Sequence, residues 1–168
     1  MSHPELALSL FFHLSATVIW IGGLLITALL VWPEMRRVLE NTPSLYSLLT
    51  RLRKRFYPIS NISLGVLIVT GLFQMTADPS YDGIMTFDNE WSRVMLAKHL
   101  TIVLMALSGW LLQYGVVPSL ERTTMLLERN KGNAEEWAKL RQREVRLTWL
   151  NVILGMCVLG FSAWATAI

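Results

Sequence analysis

Two histidines, His13 and His99, lie inside long apolar stretches of this 168-residue chain. An ionisable ring in hydrocarbon is costly, so a histidine in such a stretch indicates a functional role. Each ring lies about six residues from the start of its stretch, which is roughly 9 Å along a helix axis. Imidazole is an axial ligand of haem iron. Two rings at one depth on two helices therefore predict a b-type haem ligated by His13 and His99.

The stretches that carry the histidines have the length of membrane spans. The chain is 53% hydrophobic and 16% charged, and its apolar residues form four blocks, at about 7–31, 59–76, 94–117 and 147–168. Each block has about the length of the roughly 20 residues that cross a bilayer, whereas barrel strands would be short and alternating. We therefore expect an all-α integral membrane four-helix bundle that forms one transmembrane domain over residues 1–168.

The basic residues predict how the bundle is oriented. Thirteen of the 15 Lys and Arg residues lie in the connections between the first and second spans and between the third and fourth. The middle connection carries acidic residues instead: Asp78, Asp82, Asp88 and Glu90. The positive-inside rule then places both termini, and the end of the bundle near the two histidines, outside a bacterial cytoplasmic membrane. Insertion topology and anionic lipid account for the net charge of +3, and no basic–aromatic module points to nucleic acid.

Both basic connections are predicted to contain helices that extend the spans on the cytoplasmic side. In the first, Thr42 and Pro43 form a helix-start signal, and the helix would feed into the second span at Pro58. In the second, residues 130–133 (Asn-Lys-Gly-Asn) predict a turn, and Asn133 would cap the returning helix. The sequence therefore predicts long cytoplasmic helical extensions.

The neighbours of each histidine at helical spacing are candidate cofactor contacts. Trp20 and Gly23 follow His13, and Ala106 follows His99. Small residues let a flat macrocycle or a second helix approach closely. Lys98 lies about 100° round the helix from His99. Its side chain would either extend outward to water or face the bundle and pair with a haem propionate.

Other chemistry remains open for these residues. An intramembrane histidine can simply hydrogen-bond between helices. Thioethers suit Cu(I), and Met75, Met85 and Met95 lie toward the external side. Copper is therefore the alternative to haem as the bound group. The spans offer no Cys/His cluster for a four-ligand zinc site. The single cysteine, Cys157, excludes an internal disulfide framework.

Short motifs along the chain resemble a known family. They are His13 followed by residues 20–25 (Trp-Ile-Gly-Gly-Leu-Leu) and Pro33, residues 69–72 (Val-Thr-Gly-Leu), residues 96–100 (Leu-Ala-Lys-His-Leu), and the basic run 141–146. Together they resemble the copper-resistance D (CopD) family. The first span is also similar to that of HemJ-type protoporphyrinogen oxidases. The asparagine–glutamate–proline pattern of the HemJ-type last span is absent from residues 146–155. Both resemblances imply a membrane bundle with histidines in the first and third spans.

The sequence therefore leaves several functions open. The main expectation is a bis-histidine haem b protein that transfers electrons, as an accessory redox subunit rather than a stand-alone enzyme. Its partners would be membrane lipid, other subunits of a respiratory or photosynthetic complex, or a soluble electron carrier. The CopD resemblance implies copper transport or resistance, and the HemJ resemblance implies oxidation of protoporphyrinogen. A structural subunit without a cofactor is the remaining alternative.

Overall fold

Four long helices form the bundle. The computed structural model describes residues 3–31, 33–34, 44–79, 81, 83 and 89–168. Four segments are long and apolar enough to cross a membrane: Pro4–Val31, Arg51–Ala77, Glu90–Glu128 and Ala134–Ala165. Large apolar side chains are exposed along all of them, including Val18, Val69, Leu104 and Ile153, as lipid contact requires. The prediction of an all-α four-helix membrane protein is confirmed.

The first span is not a uniform α-helix. It consists of an α-helix, His3–Thr17, a π-helical turn, Val18–Gly22, a short α-helix, Gly23–Ile26, and a second π-helical turn, Thr27–Val31. π-Helical turns are rare and often occur at functional sites. The first one carries Trp20, two helical turns after His13.

The third span contains a similar irregularity. An α-helix, Glu90–Trp110, passes through a π-helical turn, Leu111–Val116, into a further α-helix, Val117–Glu128. Pro118 lies two residues after the end of this turn. In a regular α-helix its ring would clash with the carbonyl group of Tyr114. The wider turn therefore accommodates the proline without ending the span.

The second helix is continuous from Ser44 to Ala77, with Pro58 in its interior. The sequence predicted that a cytoplasmic helix feeds into the second span at Pro58, and the helix runs through that residue. A proline inside a membrane helix is tolerated when neighbouring groups satisfy the carbonyl group that it leaves free. The start signal at Thr42 and Pro43 lies outside the described residues.

The third and fourth helices continue past their apolar parts and form a helical hairpin. The third ends at Glu128 and the fourth begins at Ala134. The side-chain oxygen of Asn133 accepts hydrogen bonds from the backbone N–H of Glu135 at 2.8 Å and of Glu136 at 3.4 Å. The predicted turn, cap and helical extension at this connection are confirmed.

Close helix packing depends on small and polar residues. The largest helix contacts are between the third and fourth helices and between the first and second. A Cβ atom added at Gly23 would overlap the ring of Phe56, so this glycine lets the first and second helices approach. Between the third and fourth helices, the Ser108 hydroxyl donates to the Asn151 side-chain oxygen at 2.8 Å, and both residues are buried.

A buried ion cluster ties the helices together at the end opposite the histidines. Glu144 has no exposed surface and pairs with Arg53 of the second helix. Its other carboxylate oxygen accepts a hydrogen bond from Arg141 at 2.7 Å. Nearby, Lys54 lies 3.1 Å from Glu121 of the third helix. A buried carboxylate is stable only when it is paired, so this cluster fixes how the second and fourth helices meet.

Candidate functional site

A cavity of about 120 Å³ lies between the helices and is lined by both His13 and His99. Its walls come from all four helices and are mainly apolar. The polar groups that reach it are the two imidazoles, Thr17, Lys98, Ser162 and the indole of Trp20. We call it the histidine cavity. The structure thus brings together two histidines that are 86 positions apart in sequence.

The tautomer of His99 follows from its hydrogen bond. Its Nδ1 lies 2.7 Å from the carbonyl oxygen of Met95, one turn earlier in the same helix. A carbonyl oxygen can only accept, so Nδ1 of the neutral ring carries the proton. Nε2 then has a free lone pair. This is the arrangement found in metal-ligating histidines, whose second nitrogen donates to a carbonyl or carboxylate oxygen.

The tautomer of His13 follows from a bond to the second helix. Its Nδ1 lies 2.8 Å from the hydroxyl oxygen of Thr70. That hydroxyl donates its own hydrogen to the carbonyl oxygen of Val66 at 2.6 Å. Thr70 must therefore accept from His13, which places the ring proton on Nδ1 and leaves Nε2 with a lone pair. Both histidines thus carry an unprotonated Nε2.

Two further side chains from the third span line the histidine cavity. Met95 and Lys98 lie one turn and one residue before His99 on the same helix. Of the two orientations that the sequence left open for Lys98, the structure has the one facing the bundle. Met95 adds a thioether, which is a soft ligand.

Two predicted contacts lie elsewhere. Gly23 does not line the histidine cavity, because it packs against the Phe56 ring one turn beyond Trp20. Ala106 is also absent from its lining, and Val103 and Trp110 on that side of the helix are largely exposed. The third span therefore turns Met95, Lys98 and Ile102 toward the histidines, and the residues that follow His99 at intervals of four face outward.

Sequence reasoning missed several residues of the site. Thr70 was noted only within a family-like motif, although a hydroxyl in an apolar span signals a hydrogen-bond partner. Gly71 follows it, and a Cβ atom there would lie 3.4 Å from Cε1 of His13. Ser162 of the fourth span also reaches the cavity. The periodicity of one helix does not show which face of a neighbouring helix it contacts. These residues could therefore be identified only from the three-dimensional structure.

Conventional multi-ligand metal clusters do not occur in the part of the chain that the structure describes. It contains no group of three or more His, Cys, Asp or Glu side chains that could hold a metal ion. A metal in the histidine cavity would therefore have two imidazoles as its nitrogen ligands from these residues. Such a ligand pair suits a haem iron or a low-coordinate copper ion rather than four-coordinate zinc.

The second, third and fourth spans match a known protein family. The family model for copper resistance protein D, CopD, matches residues 50–165. The chain belongs to the CopD family. The CopD match covers the second, third and fourth spans, including Thr70, Lys98 and His99, and His13 precedes it. This CopD chain is thus a multi-pass membrane protein of the copper-resistance type. No curated protein and no solved structure gives a significant match.

Proposed function

We propose that this CopD protein binds copper inside the membrane, with the ion held by Nε2 of His13 and Nε2 of His99. The observation that carries the proposal is that both rings line one cavity while each Nδ1 is committed to a hydrogen bond. Two lone pairs from different helices are then available to a single ion.

A role in helix packing alone explains the arrangement of the two histidines less well than metal binding does. Interhelical packing would satisfy each ring through its own hydrogen bonds. Among the described residues, the hydrogen bonds of His13 and His99 engage Nδ1 and none engages Nε2. An unpaired polar atom in an apolar wall costs free energy, and a metal ion would offset that cost at both rings.

Three features favour copper as the ion. The family is the copper-resistance family. The thioether of Met95 lines the cavity beside the imidazoles, and soft sulfur ligands select Cu(I). The cavity, at about 120 Å³, is smaller than the roughly 300 Å³ at which pockets for organic cofactors begin. In this proposal copper is the cargo of the protein, taken up at the end of the bundle that the charge pattern predicts to be external.

A b-type haem ligated by the same two histidines is the second candidate. The observation that favours it is Lys98, whose ammonium group in the cavity wall would pair with a haem propionate. The helices would have to separate to admit the macrocycle. With haem bound, the protein would act as an electron-transfer subunit of a membrane complex, and the iron would supply the redox chemistry.

Metal analysis and an absorption spectrum separate these candidates. The full chain is purified from cells grown with added copper and iron, as wild type and as His13→Ala and His99→Ala variants. Leu104→Ala, at an exposed position of the third helix outside the cavity lining, is the matched control. We expect copper in the wild type and the control, loss of copper in both histidine variants, and no haem Soret band. A Soret band that disappears in the same two variants would establish haem instead. Equal copper in wild type and both histidine variants would refute the copper site.

A further inference from the structure

Lys98 brings a positive charge into the histidine cavity. It lines the same cavity as its chain neighbour His99 and as His13 of the first span. Among the described residues that line the cavity, none is acidic. Within the described part of the chain, no hydrogen bond or ion pair joins Lys98 to another residue, whereas Arg53, Lys54, Lys139 and Arg141 all have carboxylate partners.

This charge acts on any ion that binds between the imidazoles. Neutral imidazoles bring no negative charge, so among the described lining residues the ammonium group of Lys98 is the charge that a bound cation meets. Coulomb repulsion is proportional to the charge of the ion and is strengthened by the low dielectric of an apolar wall. A divalent ion is therefore repelled twice as strongly as a monovalent ion at the same position.

The imidazoles alone would not make this distinction. Imidazole suits zinc, copper, iron and nickel, and divalent copper binds nitrogen sites more tightly than most first-row ions. The described lining holds no carboxylate that would restore a preference for divalent ions. Among these residues, Lys98 is the side chain whose charge can select between ions.

We propose that Lys98 is a specificity-determining residue that makes the histidine cavity accept monovalent Cu(I) and exclude divalent ions such as Zn(II). The inference rests on the proposed copper site and names the oxidation state that the site takes. It assigns Lys98 a role through its charge and not as a ligand. Met95, a soft sulfur donor in the same lining, acts in the same direction.

The test measures two affinities in detergent-solubilised full-length protein. Cu(I) binding is followed under reducing conditions against a competing Cu(I) chelator, and Zn(II) binding is measured by equilibrium dialysis. The variants are Lys98→Met and Lys98→Gln, which remove the charge, and Lys98→Arg, which keeps it. Thermal unfolding identifies any variant that does not fold, and two neutral variants keep the test decisive if one is lost.

We expect the neutral variants to gain Zn(II) affinity on the order of tenfold relative to Cu(I), with Lys98→Arg like the wild type. An unchanged Cu(I)-to-Zn(II) ratio in both folded neutral variants overturns the role of Lys98. Weaker Cu(I) binding in folded neutral variants also overturns it, because Lys98 would then be a ligand. In both cases the copper site itself stands. A wild-type protein that binds no Cu(I) refutes the proposed function instead.

Discussion

The Nδ1 nitrogen of His13 lies 2.8 Å from the hydroxyl oxygen of Thr70 on the neighbouring helix. Because that hydroxyl donates to the carbonyl oxygen of Val66, it can only accept from the ring. One threonine therefore sets both the tautomer and the orientation of a histidine from another span. His99 needs no such partner, since the carbonyl group of Met95 in its own helix has the same effect.

Removing the Thr70 hydroxyl should weaken metal binding. In Thr70→Val the acceptor is lost, and the neutral His13 ring can place its proton on Nε2. Partners of this kind typically contribute about 10–100-fold in metal affinity. Thr70→Ser keeps the hydroxyl and should bind Cu(I) nearly as tightly as the wild type. Cu(I) titration of both variants checks this, and identical affinities for Val and Ser would show that the hydrogen bond does not act on the site.

Filling the space beside His13 should also block the cavity. The position of a Cβ atom at Gly71 is already in van der Waals contact with Cε1 of His13. Gly71→Ala should therefore be tolerated, whereas Gly71→Leu should displace the ring and reduce copper content. Gly65 lies on the same helix, and a Cβ atom there meets nothing within 4 Å. Gly65→Leu is the matched control, and an equal copper loss in both leucine variants would point to a general packing defect.

The buried cluster should dominate stability at the other end of the bundle. Glu144→Ala leaves two guanidinium groups without their buried carboxylate, which costs about 3–5 kcal/mol in comparable cases. Glu135, whose pairing with Lys139 is largely exposed, is the control, and Glu135→Ala should cost below about 1 kcal/mol. Thermal unfolding in detergent measures both. Similar unfolding temperatures for the two variants would contradict the assigned role of the cluster.

Gly23 should be intolerant of any side chain while Phe56 is present. A methyl group at residue 23 overlaps the aromatic ring, so Gly23→Ala should lower the unfolding temperature. In a Phe56→Ala background the same change should have little effect, because the ring is gone. Gly22→Ala, at a position where an added Cβ atom meets no side chain within 4 Å, serves as the control. Equal losses from Gly23→Ala in both backgrounds would rule out this contact as the cause.

The charge pattern predicts that the helical hairpin is cytoplasmic. A cysteine at Lys131, in a Cys157→Ser background, should resist a membrane-impermeant thiol reagent added to intact cells. A cysteine at Asp78, in the acidic middle connection, should react with it. Labelling in disrupted cells confirms that both thiols are present. If the cysteine at residue 131 reacted in intact cells and the one at residue 78 did not, the histidine cavity would lie at the cytoplasmic end.

Much of the fold followed from hydropathy and local signals. Four spans of suitable length and the Asn133 cap were read directly from the sequence, because both depend on neighbouring residues. The Asn89 cap of the third helix, which accepts from the backbone N–H of Ser92 at 2.7 Å, was overlooked. The helix that was expected to feed into the second span at Pro58 is continuous through that residue, because a membrane helix tolerates proline when neighbouring groups satisfy the carbonyl group that it leaves free.

The site was predictable only in part. His13, His99 and Trp20 were chosen for chemistry and spacing, and the structure places them around one cavity together with Lys98. Gly23 and Ala106 were chosen as small residues on the same faces, yet Gly23 serves a helix contact and Ala106 lies off the cavity. Small residues admit a neighbouring helix as readily as a ligand. Ligation of a haem iron by His13 and His99 stays a prediction.

Copper K-edge X-ray absorption of the reduced, full-length protein tests the central claim most directly. The account predicts one Cu(I) per chain with imidazole scattering from two histidines. This signal should be lost in both His13→Ala and His99→Ala and kept in Gly65→Leu. A copper centre with sulfur ligands alone, or an unchanged imidazole signal after removal of either histidine, would contradict it.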